Sequence, residues 1–330
     1  MSAKMRAAVR DRYGPPELVE LREVDRPAAS ADEVLVRVRA ASINRTDLDL
    51  LYARPSFSRL FFGVRAPRVG RLGCDVAGVV EAVGANVTAF RPGDRVFGDM
   101  YPVGLGAFAE FVAAPEKALS SIPDDMSFED AATLPHSASL ALNGLRLRNG
   151  RTVQPGDRVL IDGASGSVGP FAVQIAKSLG AEVTGVCSTA KVEFVRSVGA
   201  DHVIDYSKVD YTTTGERFDW ILAVDAHHSI FRVRRSLRPN GVYTTLGGST
   251  ARLLQALFVG PLISRAGKRS MGLVYWWRPF SPADVAALKA LVAAGALTPA
   301  IERRVPLDEV VAALRHVEDG LAQGKVVITV

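Results

Sequence analysis

Cysteine is almost missing from this chain. Cys74 and Cys187 are its two representatives, too few for a disulfide framework, and neither lies in a Cys-x-x-Cys or Cys/His spacing that would hold a metal. The small disulfide-stapled class is thereby excluded, and a reducing compartment fits. No uninterrupted apolar run reaches the roughly 18 residues that crossing a bilayer requires. The N-terminus lacks the apolar stretch of a signal peptide, because Lys4, Arg6, Arg10 and Arg12 interrupt it. The expectation is a cytoplasmic chain without membrane insertion. Long tracts of one charge are missing too. Forty Lys and Arg against 35 Asp and Glu give a net charge of +5, scattered as on solvated faces and not gathered into a nucleic-acid-binding arm. A mild positive field still suits an anionic ligand.

What is present is an ordinary globular composition, 48% hydrophobic and 23% charged, over 330 residues, a length that favours two domains. As far as about Pro135 the pattern is short, alternating and turn-broken: Glu33 to Arg39 alternates apolar and charged residues, and 75–83 and 107–113 are β-rich. Pro92 and the Gly93-to-Gly98 segment read as a tight turn feeding a strand. Near Ser127 the character changes. A capping-type Ser127-Phe128-Glu129-Asp130 opens an Ala-rich segment. Strands at 158–162, 182–187, 202–204, 219–224 and 241–246 then alternate with helices at 169–179, 191–198 and 230–237. A repeated βαβ pattern of this kind predicts a doubly wound parallel sheet, hence the α/β class. Two amphipathic helices, at 284–293 and 307–318, and a β run at 325–330 close the chain.

The strongest local signal is Gly163-Ala164-Ser165-Gly166-Ser167-Val168-Gly169, between the strand Val159 to Asp162 and a helix. Glycines at three-residue intervals let the chain turn sharply, bring backbone close to a pyrophosphate and pack the helix on the sheet. The helix start then offers free N–H groups and the positive end of its dipole to a phosphate. At the end of the second strand, where NAD-binding folds carry an acidic residue for the ribose 2′-OH, this chain has Cys187-Ser188-Thr189-Ala190-Lys191. Ser188, Thr189 and Lys191 can donate to a 2′-phosphate, which favours NADPH over NADH. The alternative for Lys191 is a solvated lysine in the first helical turn.

These motifs, with Ser42-Ile43-Asn44-Arg45-Thr46-Asp47, the segment from Gly73-Cys74-Asp75 to Val80 and the closing Gly324-Lys325-Val326-Val327, resemble the quinone oxidoreductase branch of the medium-chain dehydrogenase/reductase superfamily over nearly the whole chain. The resemblance implies a β-rich GroES-like catalytic domain at 1–130 completed by 280–330, a Rossmann NADP-binding domain at 131–279, and a ligand cleft at their junction. It adds Tyr206 to the 2′-phosphate residues, puts Asp225, Leu246, Gly247 and Gly248 against the ribose and nicotinamide, and counts Lys325 among the cofactor-binding residues. Zinc-dependent members carry a ligand Cys where Asn44 stands, and His then Glu where Cys74 and Asp75 stand. They also have a four-cysteine cluster absent here, so zinc independence is expected. Two departures bear on cleft polarity: Leu134-Pro135-His136-Ser137 replaces a more apolar run, and His227-His228 replaces a pair often reading Val-Gly.

Without a metal, hydride from the nicotinamide needs an acceptor that is already electrophilic, such as a quinone or an enone, and the protein supplies positioning and hydrogen-bond donors. The resemblance nominates Asn44, to hold the nicotinamide ribose or the substrate oxygen, and Tyr52, to line the acceptor pocket. Asp47 either joins them or orders the local loop. An alkenal or enone double-bond reductase needs the same hydride geometry, and a regulatory NADPH- or RNA-binding protein is the rival from another class. Leu273-Val274-Tyr275-Trp276-Trp277 reads as an edge strand that pairs in a homodimer or as an aromatic wall of the cleft.

Overall fold

The computed structural model describes residues 3–274 and 280–330, and they divide into two compact units. One comprises Met1–Ser137, Pro279–Lys289 and Ile301–Val330; the other comprises Ala138–Arg278 and Ala290–Ala300.

The first unit is β-rich. Its seven-stranded sheet runs Ile301–Pro306, Lys325–Thr329, Glu33–Ile43, Asp75–Val83, Arg95–Asp99 and Leu119–Ser121, with Phe111–Pro115 also pairing on Glu33–Ile43. All pairings are antiparallel except that of Ile301–Pro306 with Lys325–Thr329. The alternation in Glu33–Ile43 does what the pleat demands: Val36 and Val38 are buried while Arg37 and Arg39 face solvent. From Ala40 onward both faces are buried, and small residues let the strand pass into the core beside Val76, Phe108, Leu314 and Ile328. A separate antiparallel pair, Lys4–Val9 with Glu20–Asp25, and the helix Arg45–Tyr52 are elements that periodicity did not single out. Ser127 caps the helix Phe128–Thr133 as its motif predicts, accepting from the Asp130 amide at 3.0 Å.

The second unit carries a six-stranded, wholly parallel sheet. Its spatial order is His202–Asp205, Glu182–Cys187, Arg158–Asp162, Phe218–Ala223, Leu237–Thr245, Ser270–Leu273. In chain order that is 3-2-1-4-5-6, so the direction of winding reverses between Arg158–Asp162 and Phe218–Ala223. Every strand expected here is present. One stretch has no counterpart among the expected elements: the chain is helical through Thr250–Leu254, Gln255–Val259 and Gly260–Ala266. Gly260 and Pro261 read as breakers, but Pro261 falls in the first turn of the last segment, and the π-turn before it absorbs the lost hydrogen bond. Tyr275, Trp276 and Trp277 of the expected edge run lie outside the described residues.

Candidate active site

The turn after Arg158–Asp162 shows why glycine recurs. Gly163 sits at φ +89°, where a side chain would be strained, and its amide and that of Ala164 reach Val186 O at 3.2 and 3.0 Å. A Cβ on Gly169 would lie 2.4 Å from the Ala164 backbone, so the helix Gly169–Ser178 is seated too close for one. Gly166 differs from both. The nearest atom to a Cβ there is Gly163 O at 3.7 Å, so the fold leaves this position open, as a pyrophosphate needs. No side chain caps the helix at Val168, which leaves its first N–H groups for an anion. Ser165 is buried in the turn and Ser167 is half-buried beside it. Just before the turn, Asp162 is pushed up to about 7, chiefly by burial, against the pull of His227. A carboxyl held near neutrality repels a phosphate less than an ionised one.

At the end of Glu182–Cys187, Ser188 precedes the short helix Thr189–Lys191. The Thr189 hydroxyl donates to Asp205 Oδ2 at 2.6 Å and meets Ser207 Oγ at 2.9 Å. Its proton is therefore directed at a carboxylate that the sequence reading did not consider, because Asp205 belongs to the third strand and not the second. Hydrogen bonds from Ser207 and Thr189 hold Asp205 well below the usual carboxylate range. Tyr206, next to it, is largely exposed. On the far side of the sheet's winding reversal, Ala226 N bonds Gly247 O at 3.0 Å and Leu246 N bonds Ala223 O at 3.0 Å. Gly248, at φ +139°, packs so closely on Ala226 that a Cβ would fall 2.7 Å from its oxygen. Asp225 lies 3.6 Å from the exposed His227. His228 instead packs edge-on to Tyr211 and lies 3.7 Å from Asp210, a structural role; burial lowers its pKa.

In the β-rich unit the strand Glu33–Ile43 delivers Asn44 to the start of Arg45–Tyr52, where Asn44 N donates to Asp47 Oδ2 at 2.8 Å. The Asn44 side chain points the other way. Its Nδ2 donates to Asp75 Oδ2 at 2.9 Å and, longer, to Ser42 O at 3.4 Å, while its Oδ1 accepts from Ser137 Oγ at 2.8 Å and Lys325 Nζ at 2.7 Å. That uses the whole bonding capacity of an amide, so the Asn44 side chain is fully engaged within this cluster. Asp75 also accepts from Ser42 Oγ at 2.7 Å and from the His136 amide at 2.9 Å. Lys325 belongs to the β-rich unit, and its ammonium, 1% exposed, is the counter-charge of Asp75 at 3.4 Å. Burial pulls its pKa down and Asp75 opposes that.

Asp47 is buried and pushed up to about 6 by that burial. Tyr52 is half-buried, with its hydroxyl donated to Glu318 Oε1 and the Arg54 guanidinium 4.0 Å over its ring. The bond to Glu318 raises the Tyr52 pKa.

Sequence reasoning missed a second chain of groups in this unit. Thr46 Oγ1 lies 2.8 Å from His136 Nε2, and His136 Nδ1 lies 3.0 Å from Asp99 Oδ2. His136 and Asp99 are buried, and Thr46 is the half-exposed end. Burial works against imidazolium, but Asp99, Asp75 and Asp47 outweigh it and the His136 pKa is raised. A hydroxyl, an imidazole and a carboxylate in series can hold and pass a proton. The signal available in the sequence was the polar His136 in a run where relatives are apolar.

The mitochondrial NAD(P)H oxidoreductase RTN4IP1 of Mus musculus is 32% identical to this chain, over 100% of it and 90% of the relative. The chain belongs to the medium-chain dehydrogenase/reductase superfamily, on its quinone oxidoreductase-like branch. Two family models agree with that membership: the alcohol dehydrogenase GroES-like domain matches residues 30–124, and the zinc-binding dehydrogenase model matches 198–328. The 2-methylene-furan-3-one reductase of Solanum lycopersicum is 30% identical over 96% of this chain and 76% of its own length. Among solved structures, the quinone oxidoreductase of Coxiella burnetii superposes with a TM-score of 0.86 at 27% identity, covering 99% of this chain and 100% of its own. Like others of this superfamily the chain is an oxidoreductase, and the phosphate turn fits NADPH as its cofactor.

Proposed function

We propose that this chain catalyses hydride transfer from NADPH to a quinone or a related electrophilic carbonyl compound, without zinc. The observation that carries the reading is the Gly163-to-Gly169 turn, with Gly166 open, at the winding reversal of a 3-2-1-4-5-6 sheet. Gly163 to Val168 cradle the pyrophosphate. Ser188, Lys191 and Tyr206 hold the 2′-phosphate, with Thr189 oriented by Asp205; Asp225, Leu246, Gly247 and Gly248 flank the ribose and nicotinamide. NADPH supplies the hydride. Reduction of the acceptor consumes that hydride and one proton, and the Thr46–His136–Asp99 series is the proton source in the β-rich unit. Asn44, Asp75 and Lys325 position Ser137 and the adjacent His136, Asp47 fixes the start of the helix Arg45–Tyr52 through the Asn44 amide, and Tyr52 lines the acceptor pocket with its hydroxyl donated to Glu318. Zinc independence is supported by the Lys325 ammonium, a cation already seated on Asp75 and on Asn44, the latter at the ligand Cys position of zinc-dependent relatives.

The name of the tomato relative, a reductase of an exocyclic enone, favours reduction of an enone carbon–carbon double bond as the second reading. A homodimer paired along the edge strand Ser270–Leu273 and a cytoplasmic address belong to the same proposal; light scattering and cell fractionation test them. No helix among the described residues is long and apolar enough to cross a membrane. The test of activity is NADPH oxidation at 340 nm against a panel of quinones and enones. Turnover on quinones supports the first reading, turnover confined to enones the second, and tight NADPH binding without turnover overturns both. With turnover in hand, His136→Gln is expected to shift the pH profile of kcat while leaving NADPH binding intact. An unchanged profile removes His136 from the proton path.

A further inference from the structure

Among the described residues Arg10 is the only buried arginine, at 2% exposure. Burial pulls its pKa down to about 10, so the guanidinium stays charged at neutral pH. No carboxylate pairs with it among the described residues, and Asp47, the acid that acts on it, does so from a distance. Lys325, by contrast, has Asp75 for its buried charge. Of the five donors of a guanidinium, one is visibly used: Nη1 donates to Leu50 O at 2.6 Å. Nε is sealed from solvent without a partner. Nη2 bonds to nothing either, yet it is not sealed, so the tip of the side chain meets open space. Leu50 O lies in the last turn of Arg45–Tyr52, where a cation suits the helix dipole. That accounts for the bond from Nη1 and leaves Nε and Nη2 idle, a costly arrangement for a buried charge.

The surroundings connect Arg10 to the proton series. Thr46 and Leu50 stand one turn apart on the same helix, about 6 Å along its axis. The Leu50 side chain packs with Leu105, Phe62 and Tyr101, and Tyr101 meets His136 edge-on at 5.7 Å. An apolar and aromatic cluster thus joins Arg10, through Leu50, to His136, through Tyr101. The local charge is of one sign: between Asp49 and Asp75 there are five Arg and no acid. Arg59 from that segment lies 5.0 Å from the Tyr13 ring, and Arg10 lies 5.2 Å from the same ring. Such a field draws anions.

We propose that Arg10 binds a carboxylate carried by the acceptor, which makes the substrate class an enone or quinone with an acidic side group. This rests on the hydride transfer proposed above and narrows it. Nε and Nη2 share one edge of the guanidinium, and their parallel N–H groups match the two oxygens of a carboxylate; entry is from the Nη2 end. The aromatic cluster then faces the apolar body of the acceptor. In the enone case NADPH gives its hydride to one alkene carbon, a proton goes to the other, and the carboxylate is left unchanged.

The test is calorimetric titration of the full chain, loaded with NADP+, with 3-benzoylpropanoate and with its amide, a pair alike in shape and different in charge. No hydride is available and neither ligand has an alkene, so the result does not wait on turnover. A chain that reduces no acceptor would overturn the proposed function, whereas this titration reads the carboxylate site by itself. The acid is expected to bind about ten- to a hundredfold more tightly than the amide, and Arg10→Gln to bring the two together. Arg10→Lys keeps a charge and a donor for Leu50 O but lacks the fork, so it should weaken the acid alone, by about three- to tenfold. It serves also where the glutamine variant does not fold. Equal binding of acid and amide by the parent overturns the proposal. So do variants that melt at lower temperature with the acid-to-amide ratio of the parent, since Arg10 would then serve the helix end and nothing more.

Discussion

The phosphate turn and the buried polar cluster are built on opposite plans. The turn is local and made of backbone: seven consecutive residues do the work, and its decisive feature is room, at Gly166, for something that is not protein. The cluster is made of side chains drawn from distant parts of the sequence, Ser42, Asn44, Asp75, Ser137 and Lys325, and its decisive feature is that little bonding capacity is left over. One region is sensitive to volume and the other to charge. The difference teaches that two residues both expected to touch the cofactor, Gly166 and Lys325, fail in different ways when changed.

Lys325→Met is expected to give the largest effect. It leaves the Asp75 carboxyl buried without its counter-charge, a loss of the order of 3 to 5 kcal/mol, read as a lowered urea midpoint. Adding Asp75→Asn should recover most of it, because the stranded charge goes as well. NADPH affinity of the folded fraction should not move. If Lys325→Met instead weakened NADPH with stability intact, Lys325 would return to the cofactor residues.

The charge sensitivity of the cluster region also sets a pH dependence. Asp47 titrates at about 6 in the fold and near 4 when unfolded. The raised value means that the native state holds a proton the unfolded chain has released. Stability therefore falls as pH rises from about 4 to about 6, by roughly 3 kcal/mol for this group alone, and its contribution is flat above that. His136, also raised, adds a loss at higher pH in the same direction. Asp47→Asn keeps an oxygen for the Asn44 amide and should flatten the lower part of the slope. Parallel melting curves for parent and variant across that window would refute the assignment.

The turn answers to volume. Gly166→Ala should leave the melting temperature unchanged, since its Cβ meets nothing closer than 3.7 Å, yet raise the Kd for NADPH by about ten- to a hundredfold, because the methyl occupies the approach of the pyrophosphate. Gly169→Ala should do the reverse in kind: its Cβ would sit 2.4 Å from the Ala164 backbone, and the fold itself loses about 1 to 3 kcal/mol. Isothermal titration of both variants, with melting curves alongside, separates them.

The same contrast decides what could be read without a structure. The turn was legible because glycine spacing, the strand before it and the helix after it are all local, and the parallel strands stood out as short β-rich runs between helices. The cluster was not, because nothing near Asn44 announces that Lys325 will meet it 281 residues later. Family resemblance drew attention to Asn44, Asp75 and Lys325 separately but not to their being bonded to one another. The pairing of Thr46 with His136 was hidden for the same reason, although His136 itself stood out as a polar departure, and the helical stretch 250–266 was hidden by Gly260 and Pro261, whose breaking tendency the π-turn absorbs.

Asp205 is where a legible region carried an illegible detail, and it yields the smallest expected effect. Reading the second strand alone, no carboxylate opposes a 2′-phosphate, and Thr189 is a free donor. In the fold, Asp205 arrives from the neighbouring strand, stays ionised and accepts a hydrogen bond from the Thr189 hydroxyl at 2.6 Å. Its charge should temper the preference for NADPH, with Lys208, 3.3 Å away, offsetting part of it. Asp205→Asn removes the charge and loosens the hold on the Thr189 hydroxyl. At a half-buried site bordered by solvent this should tighten NADPH by about three- to tenfold, while NADH, which has no 2′-phosphate, is bound as before. The Kd ratio of the two cofactors is the quantity to measure. If both affinities move together, Asp205 shapes the loop and leaves the choice of cofactor to Ser188, Lys191 and Tyr206.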